Sequence, residues 1–340
     1  MSQKTKAADE TSHVVRKGPE VTTTQTKTPK QSGGTPSLSS QSGAAGDKIF
    51  SGSALTAGII ILVVLCAVAV FLVAQAFPAL VAPQDQIAGG KGFWQYILPL
   101  VVGTVIAAAV ALVIATPISI GVALFISHYA PRRVAQILGY VIDLLAAIPS
   151  VVFGAWGISF LAPALVPGYN WLASALGWIP IFSGPASATG KTLLTAAVVL
   201  AVMVIPIITS ISREIFLQTP KLHEEAALAL GATRWEMIRM AVFPFARPGI
   251  ISAVMLGLGR ALGETMAVAL VLSSGPLIAS LIRSGNQTIA AEIALNFPEA
   301  SGLSLSTLIA AGLVLFVITL VVNVIARWVI SRHKEFSGAN

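Results

Sequence analysis

Between Ala54 and Ala76 the sequence reads ALTAGIIILVVLCAVAVFLVAQA, 23 residues without a charge. About 20 such residues cross the hydrocarbon core of a bilayer as an α-helix. Within lipid, only helices and closed barrels satisfy their own backbone groups. The closing AQA resembles a signal-peptidase site, but the apolar run is longer than the roughly 7–15 residues of a signal peptide. It is therefore read as a retained first span. Cys66 inside it reads as a small buried hydrophobe, and a lone cysteine excludes an intrachain disulfide.

Hydropathy predicts five further spans, at about 98–127, 135–163, 192–213, 247–273 and 306–330. The chain is 55% hydrophobic and 10% charged, against about 25% charged in a soluble protein. The fold class expected is an all-α integral membrane protein with six transmembrane helices. Six spans put both termini on one side. With the N-terminus inside, inner segments hold 17 of the 21 Lys and Arg, and outer segments hold only Lys91, Lys191 and Arg283. Setting the long N-terminal tail aside leaves ten inside against three outside, so the bias predicts N-in and C-in.

Three regions follow. Residues 1–53 are expected to be a disordered cytoplasmic tail: residues 1–48 are rich in Thr, Ser, Gln, Lys and Gly, and no aromatic precedes Phe50. Residues 54–335 form the membrane domain, with a large cytoplasmic loop at about 214–246, and 336–340 is a short C-terminal tail. Pro117 and Pro206 within apolar segments read as kinks. At Pro149, in LLAAIPSVVFG, a helix restarting at Ser150 would aim free N–H groups into the interior, making Ser150 a candidate anion contact.

From Gly249 to Ser273 the only charges are Arg260 and Glu264. Each costs about 2.5–3.5 kcal/mol at a helix centre on insertion scales. On one continuous helix they share a face, and counting from Arg247 places Arg260 about 20 Å into the span. Two readings stay open. One is an internal ion pair that locks packing, with Asp143 in span three as a second acceptor. In the other, Arg260 meets an anion in transit while Glu264 holds it and weakens its grip.

The loop at Thr219–Met240 reads as helix–turn–helix. Thr219 is expected to cap the first helix with Pro220 at its start, Gly231 to end it, and Thr233 with Glu236 to form a capping box for the second. That pattern suggests DNA, but the second helix is short, balanced in charge and fused to membrane spans. Small residues (Ala226, Ala227, Gly231) beside Glu224 and Glu225 suit docking into a groove on a partner, or packing on the chain's own membrane part. GPASATGKT, Gly184–Thr192, imitates a phosphate-binding loop. Its glycine spacing is one residue too long and no strand precedes it, so ATP binding is not expected. No metal-ligand spacing or catalytic constellation appears in the spans; His13, His128, His223 and His333 fall in or beside cytoplasmic segments.

The stretch EEAALALGATRWEMIRMAVFPFARPGI resembles the cytoplasmic EAA loop of ABC-importer permeases. Glu225, Ala226, Ala227, Gly231 and Pro244 fall in register, while Ala241 and Phe243 depart from the pattern's Ile and Leu. GVALFISHYAPRR, AAIPSVVFG and GRALGETMAV are similar to the PstC family of bacterial phosphate-importer permeases, a likeness covering about residues 50–335. The resemblance implies a type I ABC-importer permease fold in the bacterial inner (plasma) membrane and no enzymatic activity of its own. It implies a PstA-like second permease, two PstB-like ATPase subunits holding ATP and Mg, and a PstS-like extracytoplasmic phosphate-binding protein. It places Arg260 and Glu264 in the phosphate pathway, to which the reading of the residues adds Ser150 and Asp143, and it places Glu225, Ala226, Ala227 and Gly231, with neighbouring Glu224, in ATPase coupling. The alternatives are a permease for sulfate or molybdate, a self-sufficient ion-coupled carrier, which has no need of a docking loop, and an intramembrane enzyme, which lacks a site.

Overall fold

The computed structural model describes residues 44–87, 90, 92–273, 275 and 278–334, with only the backbone of 44, 45, 47 and 329–334. Residues 1–43 of the expected tail, and the tail 336–340, lie outside the described residues. By its internal packing the chain divides into residues 1–61 and 62–340. Helix α1, Ala44–Val81, runs through that boundary, and it begins upstream of the expected Ala54.

In the second unit, α2 (Phe93–Leu124) and α6 (Leu193–Leu217) form the centre. Their sequences explain why. Along α2, Gly103, Ala107, Ala111, Ala115, Ser119 and Ala123 recur at every fourth position, and all are buried. A stripe of small residues lets two backbones approach closely, which is how helices associate where water supplies no driving force. Val199, Leu200, Met203, Val204 and Ile208 of α6 fill the space this leaves. Pro117 and Pro206 lie within continuous helices.

Among the described residues, six helices are long and apolar enough to cross a membrane: Lys48–Val81, Phe93–Tyr129, Ser150–Leu176, Leu193–Leu217, Arg234–Gly263 and Gly302–Trp328. Four agree with the hydropathy reading in place, and two correct it. The run expected at 135–163 is broken. Helix α3 (Arg132–Ala146) ends before Pro149, and α4 (Ser150–Trp156) continues through a π-turn into α5 (Ala162–Leu176). Pro149 lacks the N–H a continuing helix needs and pushes its predecessor out of helical geometry. The run expected at 247–273 is likewise two helices. After α7 (Lys221–Ala229) and α8 (Arg234–Met237), a π-turn leads into α9 (Phe243–Gly263), and α10 (Met266–Val271) starts afresh beyond Glu264–Thr265. Hydropathy averages over such breaks because the residues on both sides are apolar.

Between α10 and α11 (Ile289–Asn296) the chain is irregular yet buried: Ser280, Leu281, Ile282, Asn286, Gln287 and Thr288 are all enclosed. Irregular backbone needs protein partners when water is absent, and it has them. Leu281 N donates to the Ile181 carbonyl at 2.8 Å, Ser187 N to Ile282 at 2.9 Å and Leu194 N to Leu281 at 3.0 Å. The ATP-loop lookalike supports this corner. Gly190 has φ +70° and packs on the Ala162 carbonyl, and the Thr192 hydroxyl caps α6 by accepting from Thr195 N at 3.1 Å. Helix α12 (Gly302–Lys334) closes the fold.

Candidate functional site: a broken helix pair and an unpaired guanidinium

Arg260 lies in the last turn of α9, and one turn earlier Gly257 packs against Val204 and Ile208, midway along α6. The guanidinium is therefore carried to the middle of the helix bundle's height. It is exposed on this chain, and among the described residues it makes no ion pair or hydrogen bond. Its surroundings are bare: a Cβ at Gly259 or Gly263 would meet nothing within 4 Å. Ser252, Leu256, Gly259, Arg260 and Gly263 make one exposed face of α9.

Glu264 does not share that face. The helix ends at Gly263, Glu264 is extended (φ −70°, ψ 126°), and its side chain turns inward to 9% exposure. One carboxylate oxygen accepts from Ala267 N at 3.3 Å, at the start of α10. This overturns the expectation of one helix surface carrying both charges, and with it the locking Arg260–Glu264 ion pair. The carboxylate satisfies an amide freed by the break, as a helix cap does.

Asp143 also departs from expectation. It sits on α3, exposed, where it accepts from Ser210 Oγ at 2.8 Å. It therefore ties α3 to the C-terminal half of α6 and makes no ion pair with Arg260. A turn away, Gly139 lies directly against the Arg213 guanidinium.

Ser150 is where the sequence placed it, at the first residue of a restarted helix. A Cβ on Gly154 would come within 2.7 Å of Ala267 Cα, and one on Gly157 within 2.8 Å of a Val271 methyl. These contacts make α4 and α10 parallel neighbours in register. One turn before each contact, Ser150 comes level with Gly263 and Glu264. Ser150 and Glu264 thus stand near the starts of the paired helices α4 and α10, Arg260 lies one turn before Glu264 on α9, and Asp143 lies on α3 against α6.

Between the long helices α6 and α9, α7 and α8 form the expected helix–turn–helix. Gly231 takes φ +87°, with Gly231 N donating to Leu228 and Ala232 N to Ala227, the hydrogen-bond pair of a left-handed helix end. Thr233 and Glu236 form the reciprocal capping box. Thr219 does not cap α7; Pro220 precedes the helix, and the Thr219 hydroxyl is buried without a partner. The small residues do not share one side either. Ala227 is buried in an apolar cluster with Phe216, Met237, Ile238 and Val242, whereas Ala226, Glu225 and Gly231 are exposed. The outward surface carries Leu222, Leu230 (89% exposed) and Trp235 (56%).

One residue that the chemistry of the sequence did not single out is His128. Its Nε2 lies 3.7 Å from Glu224 Oε1, its Nδ1 2.7 Å from Ser127 Oγ, and its ring packs edge-on to Phe216. The lone polar cluster SHY at the end of an apolar run was the available signal. Among the described residues no group of three or more His, Cys, Asp or Glu side chains is arranged for a metal ion.

Residues 115–335 match the family described as binding-protein-dependent transport system inner membrane component. A phosphate transport system permease protein PstC 2 of Mycobacterium tuberculosis is 44% identical over 301 residues, 83% of this chain and 91% of that protein. A PstC of Mesorhizobium japonicum is 39% identical over 305 residues, 86% of this chain and 92% of its relative. The fold is shared with a bacterial alginate ABC transporter, crystallised in complex with an alginate pentasaccharide-bound periplasmic protein: TM-score 0.60, 18% identity, 86% of this chain and 97% of that one. Six long apolar helices among the described residues, an EAA-type loop and these relatives lead to one assignment: the chain belongs to the PstC family of phosphate transport system permeases, multi-pass proteins of the inner membrane.

Proposed function

We propose that this chain is one of two membrane subunits of an ATP-driven importer of inorganic phosphate, and that Arg260 lines its pathway. The observation that carries the site is the unpaired guanidinium at mid-height on an open, glycine-flanked face. Facing lipid, such a charge would be costly, so that face meets a second permease and the aqueous path between the two. A guanidinium fork matches phosphate oxygens and does not deprotonate. Glu264, held in the α10 cap one turn after Arg260, limits how tightly the anion is held. A conduit must bind well enough to admit and weakly enough to release. Ser150, at the start of α4, supplies a polar contact; Asp143 acts at a distance, by seating α3.

The second permease is PstA-like. Two PstB-like ATPases bind ATP and Mg and receive α7 and α8, and a PstS-like protein delivers phosphate from the outer side. Both termini lie inside, in keeping with the Lys and Arg bias.

The test is ATP-dependent uptake of labelled phosphate into proteoliposomes holding the assembled complex, with sulfate or molybdate as competitors. Wild type and Arg260→Gln are compared at matched amounts of complex. Loss of uptake with assembly intact supports the pathway role. Full uptake by Arg260→Gln removes the site assignment. Uptake of sulfate or molybdate in place of phosphate replaces the substrate.

A further inference from the structure

Helix α7 touches the rest of its own chain in two ways. Ala227 is pressed into the apolar cluster formed by the ends of α2, α6 and α9. Apolar contact of this kind is non-directional and tolerates sliding. The second contact is polar and specific. Glu224, half-buried, reaches His128 Nε2 at 3.7 Å, while Ser127 Oγ meets Nδ1 at 2.7 Å. The Ser127 hydroxyl donates to the Ala123 carbonyl at 2.8 Å, so its oxygen accepts from Nδ1–H, which fixes the ring with Nε2 turned to the carboxylate. The His128 ring is buried and wedged edge-on against Phe216, which packs in turn on Phe243 at the start of α9.

The backbone aims this side chain. The last turn of α2, Phe125–Tyr129, is a π-turn closed by Ala130 N donating to the Phe125 carbonyl at 2.8 Å. Such a turn holds one more residue than an α-turn and rotates the side chains after it around the helix. His128 lies in that widened turn, at the end of the helix whose small-residue stripe packs along α6.

We propose that His128 is a positioning residue for energy coupling: through Glu224 it fixes the register of α7 on the inner end of α2, so that a displacement of α7 moves α2 rather than slipping over it. This rests on the reading of α7 as the element that receives the ATPases. Glu224 then faces its own chain, and Glu225, exposed beside it, is left for the partner.

The test uses the complete complex in proteoliposomes, with His128→Gln, Glu224→Gln, both together, and His128→Lys, which places a cation opposite Glu224. Phosphate moved per ATP hydrolysed is read at matched assembly. Each single neutral variant is expected to lower that ratio about fivefold, the double variant to be no worse than either single, and His128→Lys to recover most of it. A merely structural role would lower assembly and leave the ratio unchanged. A second readout needs no substrate. With Cys66→Ser and Ser252→Cys, maleimide labelling of the exposed α9 face should depend on ATP in the otherwise unaltered complex and lose that dependence with His128→Gln. Normal ratios, additive losses in the double variant, or retained ATP-dependent labelling each overturn the inference. If the complex moves no phosphate at all, the substrate reading fails by itself and the labelling still decides this one.

Discussion

Glu264 accepts from Ala267 N at 3.3 Å and does not pair with Arg260, four residues before it. The helix break between them separates their tasks: one side chain closes a broken backbone, and the other is left uncompensated on an open face. Glu264→Gln keeps an oxygen that accepts from Ala267 N, whereas Glu264→Ala removes it. The alanine variant should lose about 1 kcal/mol of stability, a typical cap loss, and the glutamine variant little. Thermal unfolding of the purified chain in detergent checks this. Equal destabilisation by both variants would show that the charge, not the cap, holds this corner.

Gly154 is the close-approach point between α4 and α10, because a Cβ there meets the Ala267 backbone at 2.7 Å and the Leu270 side chain at 2.9 Å. Backbone does not step aside as a side-chain tip does. Gly154→Ala should therefore destabilise by about 1–3 kcal/mol through overpacking and lower phosphate uptake by displacing the start of α4 at Ser150. Gly121, on α2 with nothing within 4 Å of its Cβ, is the control. Gly121→Ala should be neutral or stabilising by up to about 1 kcal/mol. Similar unfolding midpoints for the two variants would refute the contact.

Much of this architecture is written in local patterns. Charge-free runs mark the spans, Thr233 and Glu236 mark a helix start, Gly231 marks a helix end, and Pro149 marks the break before Ser150. The stripe Gly103, Ala107, Ala111, Ala115, Ser119, Ala123 is equally visible once period four is sought. What sequence periodicity does not carry is the break at Glu264. No proline marks it, and Leu262 through Val271 is apolar apart from Gly263, Glu264 and Thr265. Whether that carboxylate pairs with Arg260 or caps a new helix depends on where Ala267 is held, and Gly154 on another helix holds it. The same is true of Asp143 and His128, whose partners Ser210 and Glu224 lie 67 and 96 positions away. Tertiary placement assigns these roles.

Gly231 and Thr233 set the turn between α7 and α8, one by a left-handed φ of +87° and the other by accepting from Glu236 N. Gly231→Ala should cost about 1–2 kcal/mol from the left-handed conformation alone, since a Cβ there meets open space. Thr233→Ala should cost about 1 kcal/mol from the lost cap. Both losses should appear as faster amide exchange confined to about 221–240, together with weaker retention of the ATPases on purification. Unchanged exchange in this loop would mean that docking on the cluster around Ala227, rather than the turn, maintains it.

Asn286 separates two contributions at one residue of the buried irregular segment. It has φ +65°, and its side chain accepts from Ile278 N at 2.8 Å and donates to the Ile278 carbonyl at 2.9 Å and the Ser280 carbonyl at 3.4 Å. Asn286→Gly relieves the backbone but loses all three bonds, each worth up to about 1 kcal/mol net. Asn286→Ala loses all three and adds about 1–2 kcal/mol of left-handed strain. The order of unfolding midpoints should therefore be wild type, then glycine, then alanine. The gap between glycine and alanine measures backbone strain, and the gap between wild type and glycine measures chiefly the side-chain hydrogen bonds. A glycine variant as stable as wild type would mean that the segment is held by its backbone links to Ile181, Ser187 and Leu194, with the Asn286 clasp adding nothing.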